Sequence, residues 1–186
     1  AETAAITERA MRGELDFKDA LRERVAKLKG MDEAALHKTL ARLTLMPGAQ
    51  ALLRTMRGHG AECHLVSGGF RFFTGAIAKR LDFSNHHGND LLVHEGKLTG
   101  EVAEPILDKN AKLDILYRLA AHNALSLEEV VAVGDGANDI PMLQAAGLGV
   151  ALHAKPKVNE QVRTHVRYSD LTALLYAQGY TREDVA

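Results

Sequence analysis

Residues 130–143 read VVAVGDGANDIPML. An apolar run of strand length ends at Gly134, glycines at 134 and 136 permit a tight turn, and Pro141 suits the first turn of a following helix. Two carboxylates, Asp135 and Asp139, therefore leave the carboxyl end of a buried parallel strand, the edge at which open α/β sheets bind ligands. Hard oxygens with room for water suit Mg²⁺, which usually takes only one or two protein carboxylates together with substrate phosphate. The competing reading is that Asp135 and Asn138 merely shape a turn and cap the next helix.

Outward from this stretch, short apolar runs alternate with amphipathic helical segments from residue 61 onward, the pattern of βαβ units around a parallel sheet. AECHLV at 61–66 and GVAL at 149–152 are further buried strands by this reading. LLVHEGKLTGEV is two runs about Glu95-Gly96, a β-hairpin near residues 91–103. A weak strand is expected near His165–Tyr168, and DLTALLYAQG at 170–179 is an amphipathic helix. The first 57 residues show only helical periodicity, broken at Gly13, Gly30 and Pro47-Gly48. Asp16 is placed to cap a helix with Phe17, Leu21 and Leu28 on one face; Asp32 is placed to cap another with Leu36, Leu40 and Leu43 inward. Pro47 is expected in the first turn of a helix ending near Gly58 and Gly60. The resulting division is a helical lobe over residues 1–46 and an α/β core over residues 47–186. A parallel sheet that starts only at residue 61 looks short of its first strand, which this reading places upstream of Ala1.

Other chemistry is distributed along the same framework. In HLVSGGFRFF, Ser67, Gly68 and Gly69 lie between a strand and a helix beginning near Phe70, where backbone N–H groups and the Ser67 hydroxyl suit an anion; an ordinary turn is the alternative. Lys112 opens the helix NAKLDILYRLAAHN against its dipole, as either a surface lysine or a fixed cation beside phosphate and carboxylates, with Lys109 as its competitor. Arg24 falls on the apolar face of its helix, three residues after Leu21 and four before Leu28, so it either snorkels to the rim or binds a substrate carboxylate bidentately. His86 and His87 have no His or Cys companion at zinc spacing and read as a polar loop.

Composition narrows the class. With 23 Lys and Arg against 24 Asp and Glu, the chain has no global basic field for nucleic acid, and a small-molecule partner is expected instead. The one cysteine, Cys63, sits in an apolar run and reads as a structural thiol. No window has the length of a membrane span, and the charged N-terminus lacks the apolar stretch of a signal peptide, so the expectation is a cytoplasmic protein with no membrane partner.

VSGGF, NAK at 110–112 and VAVGDGANDIPML, with the size of the helical segment and ITERAMRGELDFKDALRERV, resemble the haloacid dehalogenase superfamily over essentially the whole chain, and within it the phosphoserine phosphatases. The resemblance implies a Rossmann-like parallel-sheet core with a helical cap and Mg²⁺-dependent hydrolysis of L-phosphoserine in serine biosynthesis. It implies that Ser67 and Gly68 bind the phosphoryl group, that Lys112 places the nucleophile and offsets charge, and that Asp135 and Asp139 bind metal while Asn138 orients the site. Met11, Phe17 and Arg24 would enclose the serine moiety, Arg24 by its carboxylate. The family's D-x-D pair on the first strand, nucleophile and general acid, has no counterpart in these residues, and the resemblance places it upstream of Ala1. Hydrolysis of another small phosphomonoester, phosphoryl transfer to an acceptor other than water, and a non-catalytic domain that binds Mg²⁺ and a phospholigand are the competing functions. The resemblance also admits a homodimer.

Overall fold

The computed structural model describes Ile6, Arg9 and residues 15–185. Contacts group these into two compact units, Ala1–Thr44 with His64–Asp108, and Leu45–Cys63 with Lys109–Ala186. The helical N-terminal segment thus groups with residues 64–108, and the remaining α/β elements form the second unit.

In the first unit, helix α1 (Phe17–Ala26) starts where expected, because the Asp16 carboxylate accepts the Asp19 N–H at 2.8 Å. Its buried residues are Ala20, Leu21 and Val25, and the cluster of Leu21, Val25 and Ile106 is covered by Phe17, Phe70, Leu91 and Val102. Helix α2 (Ala34–Leu40) buries Leu36. It stops before Leu43, which is 40% exposed rather than inward, because helical periodicity ceases to place a side chain once the helix has ended. Strand β1 (His64–Phe70), helix α4 (Arg71–Leu81) and strand β2 (Asn85–Asn89) form a parallel βαβ unit, with Leu65 opposite His86 and Val66 opposite His87. Two expectations are corrected here. Ser67, Gly68 and Gly69 belong to β1 itself rather than to a turn after it, and His86 and His87 lie on a strand rather than in a loop. NHHGN carries no apolar alternation, so pairing with β1 selects its strand form where side-chain pattern could not. Strands β3 (Leu91–His94) and β4 (Lys97–Val102) form the expected antiparallel hairpin, with Glu95 at φ 49° and Gly96 at φ 72° in the two-residue turn. Two successive left-handed residues match the right-handed twist of paired strands.

In the second unit, helix α3 (Ala49–Gly58) is preceded by Gly48 at φ 79°, where a Cβ would also stand 2.8 Å from the Thr172 amide nitrogen. Pro47 therefore lies before the helix, not in its first turn, and its carbonyl accepts the Leu171 N–H at 3.2 Å. Helix α5 (Lys109–His122) precedes the parallel sheet of β5 (Val131–Gly134), β6 (Leu148–Leu152) and β7 (Thr164–Val166), with β6 central. Helices α6 (Ile140–Ala145), α7 (Pro156–Asn159) and α8 (Ala173–Ala177) complete the unit. Its core gathers Leu116, Ala132, Ile140, Leu143, Ala151 and Val158. β7 ends at Val166, short of the expected Tyr168, which is 96% exposed. Among the described residues no helix is long and apolar enough to cross a membrane.

Candidate functional site

The GDGAND turn is organised by Asp139. Its carboxylate is buried, and one oxygen accepts from Lys112 Nζ at 2.5 Å. The other oxygen accepts the backbone N–H groups of Asp135 at 3.2 Å and Gly136 at 3.0 Å. Lys112, 6% exposed, is thus a buried, paired cation, as a burial of this depth requires. Lys109, its competitor, is exposed at the start of α5. A Cβ on Gly134 would stand 2.6 Å from the Asp139 carboxyl carbon, and one on Gly136 would collide with the Asn138 side-chain oxygen. Both glycines are therefore dictated by the side chains that the turn folds over them.

Asp135 differs from Asp139 in every respect that matters to a cation. It is exposed, and no described residue donates to its carboxylate. A carboxylate has about four lone-pair positions. Three donors reach Asp139, so its remaining capacity is small and Asp135 is the fully available donor. Among the described residues no group of three or more His, Cys, Asp or Glu is placed to hold a metal ion. One free and one nearly saturated carboxylate at a strand end, with open solvent beside them, match a hard cation that keeps waters and takes substrate oxygens.

In the first unit, Ser67 and Gly68 sit near the end of β1. The Ser67 hydroxyl oxygen accepts the Gly69 N–H at 3.0 Å, which leaves its proton to be donated elsewhere. The Gly69 amide is consumed in that bond and is not offered outward. The Phe17 ring lies over Gly68, where a Cβ would stand 3.1 Å from the ring's Cζ. Asn89 was not expected at the site. It is 2% exposed at the end of β2; its amide nitrogen donates to the Gly68 carbonyl at 2.9 Å and its oxygen accepts the Leu107 N–H at 2.7 Å. The only sequence signal for it is an asparagine closing a polar run, which resembles any loop until the strand is known.

Arg24 is half-buried, and its Nε donates to the Ala20 carbonyl one turn back at 3.2 Å. It forms no ion pair with another described residue, so no described carboxylate claims its remaining N–H groups. His86 Nδ1 lies 3.0 Å from the Thr74 hydroxyl. Met11 lies outside the described residues. The structure therefore brings together Phe17 with Gly68 in one unit, and Lys112 with Asp139 and the Asp135 amide in the other.

A family model for haloacid dehalogenase-like hydrolases matches residues 2–144. The chain is 45% identical over 184 residues to a phosphoserine phosphatase of Streptomyces coelicolor, covering 99% of this chain and 45% of that protein. It is 44% identical over 170 residues to a phosphoserine phosphatase of Streptococcus thermophilus, covering 91% and 79%. The chain thus spans about half the length of some of the relatives it matches. A solved substrate-bound phosphoserine phosphatase complex superposes with a TM-score of 0.87 at 38% identity, over 95% of this chain and 84% of that one. On sequence and fold together, the chain belongs to the haloacid dehalogenase-like hydrolase family.

Proposed function

We propose that these residues carry the phosphate-, cation- and substrate-binding parts of a Mg²⁺-dependent phosphomonoester hydrolase that converts L-phosphoserine to L-serine and phosphate. The observation that supports it most is the buried Lys112–Asp139 pair beside an exposed Asp135 at the end of β5, in a chain whose relatives are named phosphoserine phosphatases. Asp135 would hold Mg²⁺ directly, with Asp139 contributing its remaining lone pair or a bridging water, and Asn138 orienting the turn. Bound there, the ion supplies Lewis-acid neutralisation of phosphate oxygens. Lys112 would add a fixed positive charge in a dry setting, where it needs no reorganisation as charge develops. The Ser67 hydroxyl and the Gly68 backbone would take the phosphoryl oxygens. Phe17 above Gly68, with Met11, would enclose the serine moiety, and Arg24 would pair with its carboxylate bidentately. The lobe of residues 1–46 would then act as a cap that excludes water until the phosphoryl group has moved.

No two aspartates in the sequence are separated by one residue. In the proposed aspartyl-phosphate route, the attacking carboxylate and the carboxyl that protonates the leaving alkoxide therefore belong to chain outside these 186 residues. A second reading is a module that binds Mg²⁺ and a phospholigand without turnover. Assaying phosphoserine and Mg²⁺ with a protein that carries both of those carboxyl groups separates the two, since turnover eliminates the module. The substrate is tested by Arg24→Ala in the active protein. Losing a charge-assisted pair is expected to lower kcat/KM for phosphoserine roughly 10- to 100-fold, with phosphoethanolamine, which lacks the carboxylate, nearly unaffected. An equal loss on both esters overturns phosphoserine as the substrate.

A further inference from the structure

Both peptide groups of Asp135 are tied. Its N–H is held within the motif by Asp139, but its carbonyl is held from beyond β6, where the Lys155 N–H donates to it at 3.3 Å. Lys155 reaches that point through a reversal at His153. β6 ends at Leu152 opposite Val166, and the His153 N–H extends the ladder by donating to the Val166 carbonyl at 2.8 Å. The chain then turns at His153 with φ 46°, a left-handed conformation uncommon outside glycine, in which Asn, Asp and His are enriched. The ring Nε2 lies 2.8 Å from the Ser169 carbonyl, so the imidazole fastens the turn to the segment after β7. Asn159 adds a third tie by donating to the Ala154 carbonyl at 3.0 Å.

We propose that residues 153–155 are a positioning turn for the cation-binding carboxylate. The His153 reversal holds the Lys155 N–H against the Asp135 carbonyl and so sets the direction in which Asp135 leaves the sheet edge. The required group is the Lys155 amide, not its ammonium. This inference rests on the reading of Asp135 as a cation ligand.

The discriminating substitution is Lys155→Pro. Lys155 has φ −63° and ψ 152°, values natural to proline and to a residue that itself precedes a proline, so the change removes the N–H without straining that residue's own dihedrals, and the ring carbon in its place pushes the Asp135 carbonyl away. Lys155→Ala keeps the N–H and removes the charge. Mn²⁺ is titrated into the active protein, free ion is followed by electron paramagnetic resonance, and each variant's melting midpoint is recorded. Lys155→Pro is expected to weaken Mn²⁺ binding about three- to tenfold, and Lys155→Ala less than about twofold. Should Lys155→Pro fail to fold, His153→Val and His153→Gly carry the comparison, because both lack the ring but a β-branched residue resists positive φ while glycine accepts it, so His153→Gly should bind Mn²⁺ more tightly than His153→Val. Parent-like binding by Lys155→Pro overturns the proposal, as does equal weakening by Lys155→Ala, which would assign the effect to charge. Loss of binding on Asp135→Asn with Lys155→Pro unaffected overturns the positioning turn alone. Binding that survives Asp135→Asn overturns the cation reading and this inference with it.

Discussion

Lys112 and Asp139 neutralise one another where little water reaches either, with side-chain exposures of 8% and 7%. Removing one partner leaves a buried charge, so Lys112→Met is expected to destabilise the protein by about 3–5 kcal/mol, measured by urea denaturation. Removing both charges in Lys112→Met/Asp139→Leu should cost less than the sum of the single changes, and a strictly additive double-mutant cycle would falsify the pair as a coupled unit. Asn89 presents the same problem with neutral groups. Asn89→Ala strands the Gly68 carbonyl and the Leu107 N–H, and a loss of about 1–3 kcal/mol is expected for each buried group left unpaired. If activity is measured well below the melting transition, KM for the phosphoester should rise as Gly68 loosens, and an unchanged KM would separate Asn89 from the proposed phosphate site.

At the scale of elements, the β5–α6 turn works because two glycines leave room for the side chains folded onto them. Gly134→Ala would place a methyl 2.6 Å from the Asp139 carboxyl carbon. That carboxylate cannot swing aside without releasing Lys112 and two amides, so the substitution is expected to cost about 1–3 kcal/mol by overpacking. Gly68→Ala meets only the tip of the Phe17 ring at 3.1 Å, a flexible neighbour that can yield, and it should be milder in the same thermal melts. A larger loss at Gly68 than at Gly134 would contradict this ranking.

At the scale of the whole molecule, four carboxylates among the described residues are held below their ordinary range by hydrogen bonds. Arg22 does this chiefly for Glu104, the Ser126 N–H for Glu129, and the hydroxyls of Thr172 and Thr181 for Asp170 and Asp184. A carboxyl whose folded pKa is depressed adds stability above its unfolded value, near about 4, and that contribution is lost as pH falls through the folded value. These carboxylates are exposed, or half-buried at Asp170, and are screened by solvent, so the melting midpoint is expected to decline modestly as pH falls below about 4. Asp170→Asn should lower the midpoint at pH ~7 more than at pH ~3; an equal drop at both would show that its charge is not what holds the loop.

The alternation of apolar runs with amphipathic helices, the hairpin at Glu95-Gly96 and the strand–turn–helix around Asp135 were legible in the sequence because each is a local pattern. Hydrophobic period, positive-φ residues and capping carboxylates act within a few positions of the chain. The same locality explains what could not be read. NHHGN became a strand because β1 lies beside it, and Leu43 turned outward because α2 ended early. Lys112 could be solvated or buried on its own segment's evidence. Asp139, far along the chain, decided the matter, since an ammonium in the interior exists only where a partner's distance has been set by folding. Asn89 was invisible for the same reason, as its role is to satisfy two backbone groups remote in sequence. Sequence alone determined which carboxylates GDGAND sets at the strand end; tertiary structure decided that Asp139 is spent on Lys112 and the turn's own amides, leaving Asp135 as the carboxylate open to solvent. Charge and residue type are local properties, whereas burial and pairing depend on what the rest of the chain brings alongside.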